Sequence, residues 1–440
     1  MKTLRKRLVL SIAIILITMF GSSLIAQAQA ANWYVRPSGG TGSGTSWTAA
    51  WNGLNGINWE NVSAGDTIWV AGGTYTSRFS PAKSGTSSAQ VSIRRARSDA
   101  SECTGASGWS SSYDSTVQQT GGISFGSINY ITISGRTTAS GGSNGWWIDF
   151  RSKTSGPGIE WPNGSNGSYI TIEYMDLQGP GAINYTGDGR GIDDTPFSSA
   201  RNHTFSHMKI WDWESGVYIA GANYPIFEYI EMYNIMAANW STYHPNGIYI
   251  IGSDYGIVRY SKFRYGVNGC GEGVVFSDGG SWRNWEIYGN LFYDLIGGGL
   301  KSIQYQDAPT QGVKIYNNTF VNNQVNLYMS SASCDASSES RNNLIYGSGG
   351  GINCGISSNN LTASSNPFAN SGAKDFHIVS TIGTGYPRNA GTVLGITYNT
   401  DMDGVTRGAD GAWDIGAYEN KSGASSVIYP PASPIILGIE

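Results

Sequence analysis

The sequence predicts an all-β fold, a single-stranded right-handed parallel β-helix with capped ends. Three observations point there: a strand-and-turn composition, apolar positions recurring at solenoid spacing, and asparagines repeating in one turn. Charged residues make up 13% of the chain, where ordinary globular chains carry roughly a quarter. Gly reaches 61 of 440 residues, and Tyr and Trp together total 41. In the middle of the chain Val, Ile, Tyr, Phe and Thr, punctuated by Gly, Asn and Ser, displace the helix formers.

The repeat begins near residue 168 as a short strand, a two-residue turn, a second strand, a loop, and a third strand that opens on Gly. Leu177, Ile210, Met232, Phe263, Phe292, Phe320 and Ile345 mark the second strand at spacings of 33, 22, 31, 29, 28 and 25 residues. Ile192, Val217, Ile248, Val274, Leu300, Val325 and Ile352 mark the third at 25, 31, 26, 26, 25 and 27. Ile219, Ile250, Phe276 and Leu327 follow two residues later, the period of a strand that turns alternate residues inward. Stacked vertically, such units pair each strand with its equivalents and form one apolar column, roughly 8–11 coils in all. An antiparallel barrel or sandwich needs hairpin signals every 8–12 residues or so, about a third of the period found.

Asn290, Asn318 and Asn343 each precede the second-strand marker by two residues, with Ser261 in the coil before. Stacked amides in a turn satisfy backbone groups that burial would otherwise leave unpaired. Four cysteines are too few to be the framework. Cys334 and Cys354 fall on neighbouring coils and can bridge; Cys103 and Cys270 are a second pair or buried thiols. No CxxC spacing offers a zinc site.

Lys2, Arg5, Lys6 and Arg7 precede the apolar run Leu8 to Phe20, and Ala26, Ala28 and Ala30 supply the small residues that signal peptidase reads. Cleavage is expected after Ala30, and nothing later is apolar for long enough to span a bilayer. A secreted or cell-surface location is expected, with the mature chain a monomer. Removing the four basic residues takes the formal charge from −4 to −8, which argues against nucleic acid or an anionic membrane as partner.

These residues resemble the pectate-lyase-like superfamily of secreted bacterial β-helix proteins. The likeness covers nearly the whole mature chain. Trp33-Tyr34-Val35, then Ala64-Gly65-Asp66-Thr67-Ile68-Trp69-Val70 and Gly72-Gly73-Thr74-Tyr75, look like the first coil of such proteins. Val313 to Phe320 and Gly247-Ile248-Tyr249-Ile250 match the generic coil. Asp375-Phe376-His377-Ile378, Asp401 to Arg407 and Asp414 to Glu419 are similar to the terminal segment of members that often carry a surface-sorting tail. The chain then divides into a signal peptide (1–30), an N-terminal cap with the first coils (31–122), a β-helix body (123–365), a last coil with end cap (366–420) and a linker or tail (421–440).

The resemblance implies a polysaccharide or surface glycan as partner, lying in a groove over one strand face. That face is assigned to the third strand, with Asp193, Tyr218, Tyr249, Val275, Lys301, Asn326 and Asn353 outward. Equivalent residues on successive coils stand ~4.8 Å apart, close to one sugar length. Nearby loops add Asp188, Arg190, Glu214, His244, Asn246, Glu272 and Asp278, with Trp211, Trp213 and Trp240. Aromatic faces beside polar groups suit a sugar ring, whose C–H face is apolar and whose rim is hydroxylated.

Three functions fit. In a polysaccharide lyase cleaving a uronate-containing glycan by β-elimination, Lys301 is the base, as lysine is in similar lyases, and His244 or Tyr249 protonates the leaving oxygen. Glu272 and Asp278 would hold Ca²⁺ as a bridge between acidic protein and acidic sugar. Asp193, Tyr218, Glu214, Asn246, Trp213, Trp240 and Asn326 would bind substrate. The arginine that many such lyases pair with the lysine is not identifiable. In a glycoside hydrolase acting on a neutral glycan, paired carboxylates come from Asp193, Glu214, Glu272 and Asp278. The third function is a non-catalytic adhesin or glycan-binding solenoid. His203 and His207 are expected to be structural, facing inward and lying in the tight turn respectively. Asp401-x-Asp403-Gly404 opens like a calcium loop but lacks the later Glu, and is assigned to the end cap.

Overall fold

A computed structural model describes residues 30–181, 189–195, 199–236, 245–265, 271–277, 282–296, 300–306, 310–330 and 334–420. The signal-type segment and the tail therefore lie outside the described residues. No helix among those described is long and apolar enough to cross a membrane.

The chain is a right-handed parallel β-helix. A large sheet of 21 described strands and a smaller one of eight run along its axis. The smaller sheet stacks Ile123–Ser124, Ile159–Trp161, Arg190–Asp194, Ser215–Ala220, Asn246–Ile251, Glu272–Phe276, Lys301–Gln306 and Val325–Ser330 in chain order. Parallel pairing reaches back to Asn32–Arg36, which lies beside Thr67–Val70.

All seven expected second-strand positions occupy one register column, Leu177 through Ile345. Their side chains are buried. Phe263, Phe292 and Phe320 stack with ring centroids 4.9 and 5.1 Å apart. The third-strand column agrees from Ile192 through Val217 and Ile248 to Val274, then continues through Ile303 and Leu327. Leu300 and Val325 are thus three and two residues out of register. Leu300 is buried just ahead of its strand, so apolarity alone did not mark the pairing position.

A glycine column explains how the corner before this strand closes. A Cβ on Gly191, Gly216, Gly247 or Gly273 would stand 2.3–2.6 Å from the carbonyl oxygen of the coil stacked on it. Any side chain there would separate the coils.

The tight turn of the large sheet uses a left-handed residue in coil after coil: Tyr174, His207, Tyr229 and Tyr260, then Gly289, Asn317 and Asn342. Gly and Asn adopt that conformation readily, and bulkier residues at a cost. Here the aromatic rings follow one another along the axis, Tyr174–His207 stacked at 4.3 Å, His207–Tyr229 stacked at 4.6 Å and Tyr229–Tyr260 tilted at 5.2 Å. One residue on, the expected asparagine ladder is present. Asn290 Nδ2 donates to Asn318 Oδ1 (3.0 Å), Asn318 Nδ2 to Asn343 Oδ1 (3.1 Å) and Asn343 Nδ2 to Asn360 Oδ1 (2.8 Å), and Ser261 N–H donates to Asn290 Oδ1. Each of the first three amides also donates to a backbone carbonyl, on Val258, Ile287 and Ile315.

Cys334 and Cys354 form a disulfide, and Cys103 is a buried free thiol; Cys270 lies outside the described residues. The Asp401–Glu419 region is an end cap, with Asp401 buried and accepting from the Asp403, Val405 and Glu419 N–H groups. This segment folds back along the large sheet. Tyr398 packs edge-on against Tyr288 and Tyr316, its hydroxyl donating to Glu286 (2.9 Å). Asn342 exchanges two hydrogen bonds with Thr392, and the Tyr260 and Thr400 hydroxyls meet at 2.9 Å.

Candidate functional site

The outer face of the smaller sheet carries two files of side chains. One runs Ser124, Glu160, Asp193, Tyr218, Tyr249, Val275, Gln304 and Tyr328. The other lies at the strand starts, as Arg190, Ser215, Asn246 and Glu272, with Lys301 next. Parallel pairing dictates this arrangement, because strands in register set equivalent side chains above one another.

Charged groups on the face are paired. Arg78 holds Glu160 (Nη1 to Oε1, 2.5 Å), which also accepts from the Ser124 hydroxyl at 3.0 Å. Arg190 Nη1 lies 2.8 Å from Asp193 Oδ2, and its guanidinium sits 3.6 Å from the Tyr218 ring centroid. Tyr218 stacks on Tyr249 at 5.3 Å. Lys301 Nζ is 2.7 Å from Glu272 Oε1 and 5.1 Å from the Tyr328 ring centroid. Glu214 Oε2 accepts from the Gly189 N–H at 3.3 Å.

Asp193, Tyr218, Tyr249, Glu272 and Lys301 therefore gather on one face, with Glu214 at the adjoining turn. Lys301 is displaced from its expected file: the three-residue slip at Leu300 puts Gln304 in line with Tyr249 and Val275, and sets Lys301 over Glu272. An ion pair surrounds it, not the desolvated or cation-flanked setting expected of a lysine base. Trp213 is a correction. It is fully buried in the core, with Nε1 donating to the Leu177 carbonyl, because a large ring beside the glycine corner fills interior space. Asn326 is another correction, fully buried with Nδ2 donating to the Gly350 carbonyl. The slip of Val325 turned it from the face into the corner. Asn246 and Val275 are outward in register yet buried. His244, Trp240, Asp278 and Asp188 lie outside the described residues.

Glu160 and Arg78 went unnoticed in the sequence. Glu160 had a signal, since Ile159 precedes Ile192 by 33 residues, within the spread of the coil spacings. Arg78 had none, because it comes from an irregular segment bridged only at Phe79 and Ile123.

Of the expected calcium ligands, Glu272 is engaged by Lys301 and Asp278 lies outside the described residues. Among the described residues no group of three His, Cys, Asp or Glu side chains is arranged to hold a metal ion. The residues in view do not by themselves form a calcium site.

Inside the helix, beneath Asp193, lies a buried polar cluster. Asp194 is 3.5 Å from Arg201 Nε and 3.7 Å from His203 Nε2. Arg201 donates to the Gly167 and Ser165 carbonyls, and His203 Nδ1 accepts from the Ile170 N–H while its ring stacks on Trp161. Burial pushes the Asp194 carboxyl up to about 7, against the pull of Arg201. Burial, aided by the Arg201 charge, drives His203 well down. Both expected histidine placements hold, His203 inward and His207 in the tight turn.

A family model described as a right handed beta helix region matches residues 190–368. A search of curated protein sequences finds no match. Among solved structures, a pectate lyase, Pel9A, superposes with a TM-score of 0.52 at 15% identity, over 89% of this chain and 97% of that one. A lacto-N-biosidase from Eubacterium ramulus gives 0.42 at 12% identity, over 80% and 71%. An alginate lyase from a Paenibacillus species gives 0.37 at 14% identity, over 63% and 96%. At such identities the likeness is one of fold.

Proposed function

For a chain with the fold of the pectate-lyase-like right-handed β-helices, we propose an exported polysaccharide lyase that lays a uronate-containing glycan lengthwise on the smaller sheet. One observation carries this: fixed cations flank stacked phenols on a single face. Arg190, leaning onto Tyr218, and Lys301, held at Glu272, bracket Tyr249 within about two coil spacings, ~10 Å. A uronate needs its carboxylate charge met before the neighbouring C–H will yield a proton.

In this proposal the Arg190 guanidinium meets the substrate carboxylate. Lys301 first yields a proton to Glu272, its partner at 2.7 Å, and then as the neutral amine takes the proton from the adjacent carbon. The electron pair forms the new C=C bond as the glycosidic C–O bond breaks, and the Tyr249 hydroxyl protonates the departing oxygen. Glu160 and Asp193 favour a second reading. They are direct register partners on adjacent coils, the juxtaposition of carboxyls that a glycoside hydrolase uses.

Product analysis on a panel of uronate polymers and neutral glycans separates these. A lyase yields ultraviolet-absorbing unsaturated ends, and Lys301→Ala should then lower the rate by about 10²–10⁴-fold. Reducing ends without absorbance, abolished in Asp193→Asn, would replace the lyase with the hydrolase. Binding without either product would leave a non-catalytic solenoid. Repeating the assay with a chelator tests the calcium expected from Glu272 and Asp278.

A further inference from the structure

A second pocket lies on the large sheet, away from the groove, where the end cap meets the coils. It encloses about 260 Å³, small for a ligand pocket, and spans three coils. One wall is the ladder His207, Tyr229 and Tyr260. His207 stacks on Tyr229 at 4.6 Å, and Tyr260 follows, tilted by 32° at 5.2 Å, so three rings succeed one another along this wall. Lys209, Glu231 and Lys262, consecutive members of one outward file two residues further along each strand, also line the pocket. Met402 and Asp403 of the end cap close one end.

The charges on these walls are not equally committed. Glu231 is held by Arg264 at 2.9 Å, and Asp403 by His377 at 2.8 Å. Asp176, next in the file, accepts from Asn144 Nδ2 at 2.7 Å. Each acid thus has its own donor. Lys209 and Lys262 are exposed, and among the described residues neither has a carboxylate within salt-bridge distance, although the Asp176 charge acts on Lys209 from the neighbouring coil. They are two coils apart, about 10 Å, roughly the length of two sugar units. Their ammonium groups are the cavity's charges that no hydrogen-bonded ion pair holds among the described residues.

We propose that this pocket is a secondary binding site for a short acidic oligosaccharide. Two or three sugar units lie along the axis, with carboxylates on alternate rings meeting Lys209 and Lys262 and the rings of Tyr229 and Tyr260 beside them. Such a site holds the polymer to the protein without taking part in cleavage, and it is independent of the reading given to the groove.

The test is calorimetric titration of the full mature chain with trigalacturonate, against neutral cellotriose, in a Lys301→Ala background. Substituting Lys209→Ala and Lys262→Ala together should abolish one binding event or weaken it at least about ten-fold, and Lys209→Arg with Lys262→Arg should restore it. A drop from two sites to one shows that the groove also binds; a drop from one to none leaves the pocket as the binder and counts against the groove alone. Unchanged titration in the alanine pair, equal binding of cellotriose at this site, or no binding of trigalacturonate at all would overturn the proposal.

Discussion

Asp194 occupies a position where its stacked neighbour is Ile219, so an acid stands in an otherwise apolar column. Its neutral form is the one the interior tolerates, and its carboxyl is raised to about 7 by burial. A carboxyl raised on folding binds more protons in the native chain than in the unfolded one between about pH 4 and 7. Its contribution is therefore fully present below about pH 4 and is lost as pH rises towards 7. In thermal melts across that range Asp194 should contribute a loss of stability with rising pH, set against a gain from the buried His203, whose pKa is driven down, and Asp194→Asn should remove part of the declining contribution. Only part will flatten, because burial also raises Glu419 to about 7 in the end cap. A slope unchanged by Asp194→Asn would show that Arg201 keeps the acid charged throughout.

At the scale of strands and turns, the glycine corner and the asparagine ladder do opposite work. Glycines let successive backbones touch; the amides tie them together. Gly247→Ala should destabilise by about 3 kcal/mol or more, since the added carbon would overlap the Gly273 carbonyl 2.5 Å away and neither backbone has room to yield. Chemical denaturation measures this, and the exposed Gly56, whose added Cβ meets nothing within 4 Å, provides a control for packing. The elements were legible in the sequence to different degrees. The second strand follows a turn of fixed length, so its apolar markers all fell into register. The third follows a loop of variable length, and there Leu300 and Val325 looked like column members while Ile303 and Leu327 were. That slip carried Lys301 into the neighbouring file and Asn326 into the interior. Trp213 misled for a related reason, because in a solenoid an aromatic ring serves the core as readily as a sugar. The face itself, with Asp193, Tyr218, Tyr249 and Glu272, was legible because alternation along a paired strand leaves little choice of side.

At the scale of the whole molecule, coils joined only to their immediate neighbours would form a one-dimensional stack, free to lose its terminal members singly. The returning end segment changes that. Its contacts at Tyr260, Glu286, Lys314, Thr319 and Asn342 span four successive coils, so it acts as a strap laid across the rungs. Tyr398→Ala removes the hydroxyl shared with Glu286 and Lys314 and the ring between Tyr288 and Tyr316. The expected result in hydrogen-exchange measurements is faster exchange over 286–345 as a block, with little change before residue 200. A strapped stack cannot fray one rung at a time from its C-terminal end. Those coils must let go together, so that a protease cutting within them has to wait for a rarer, larger opening than the loss of a single rung.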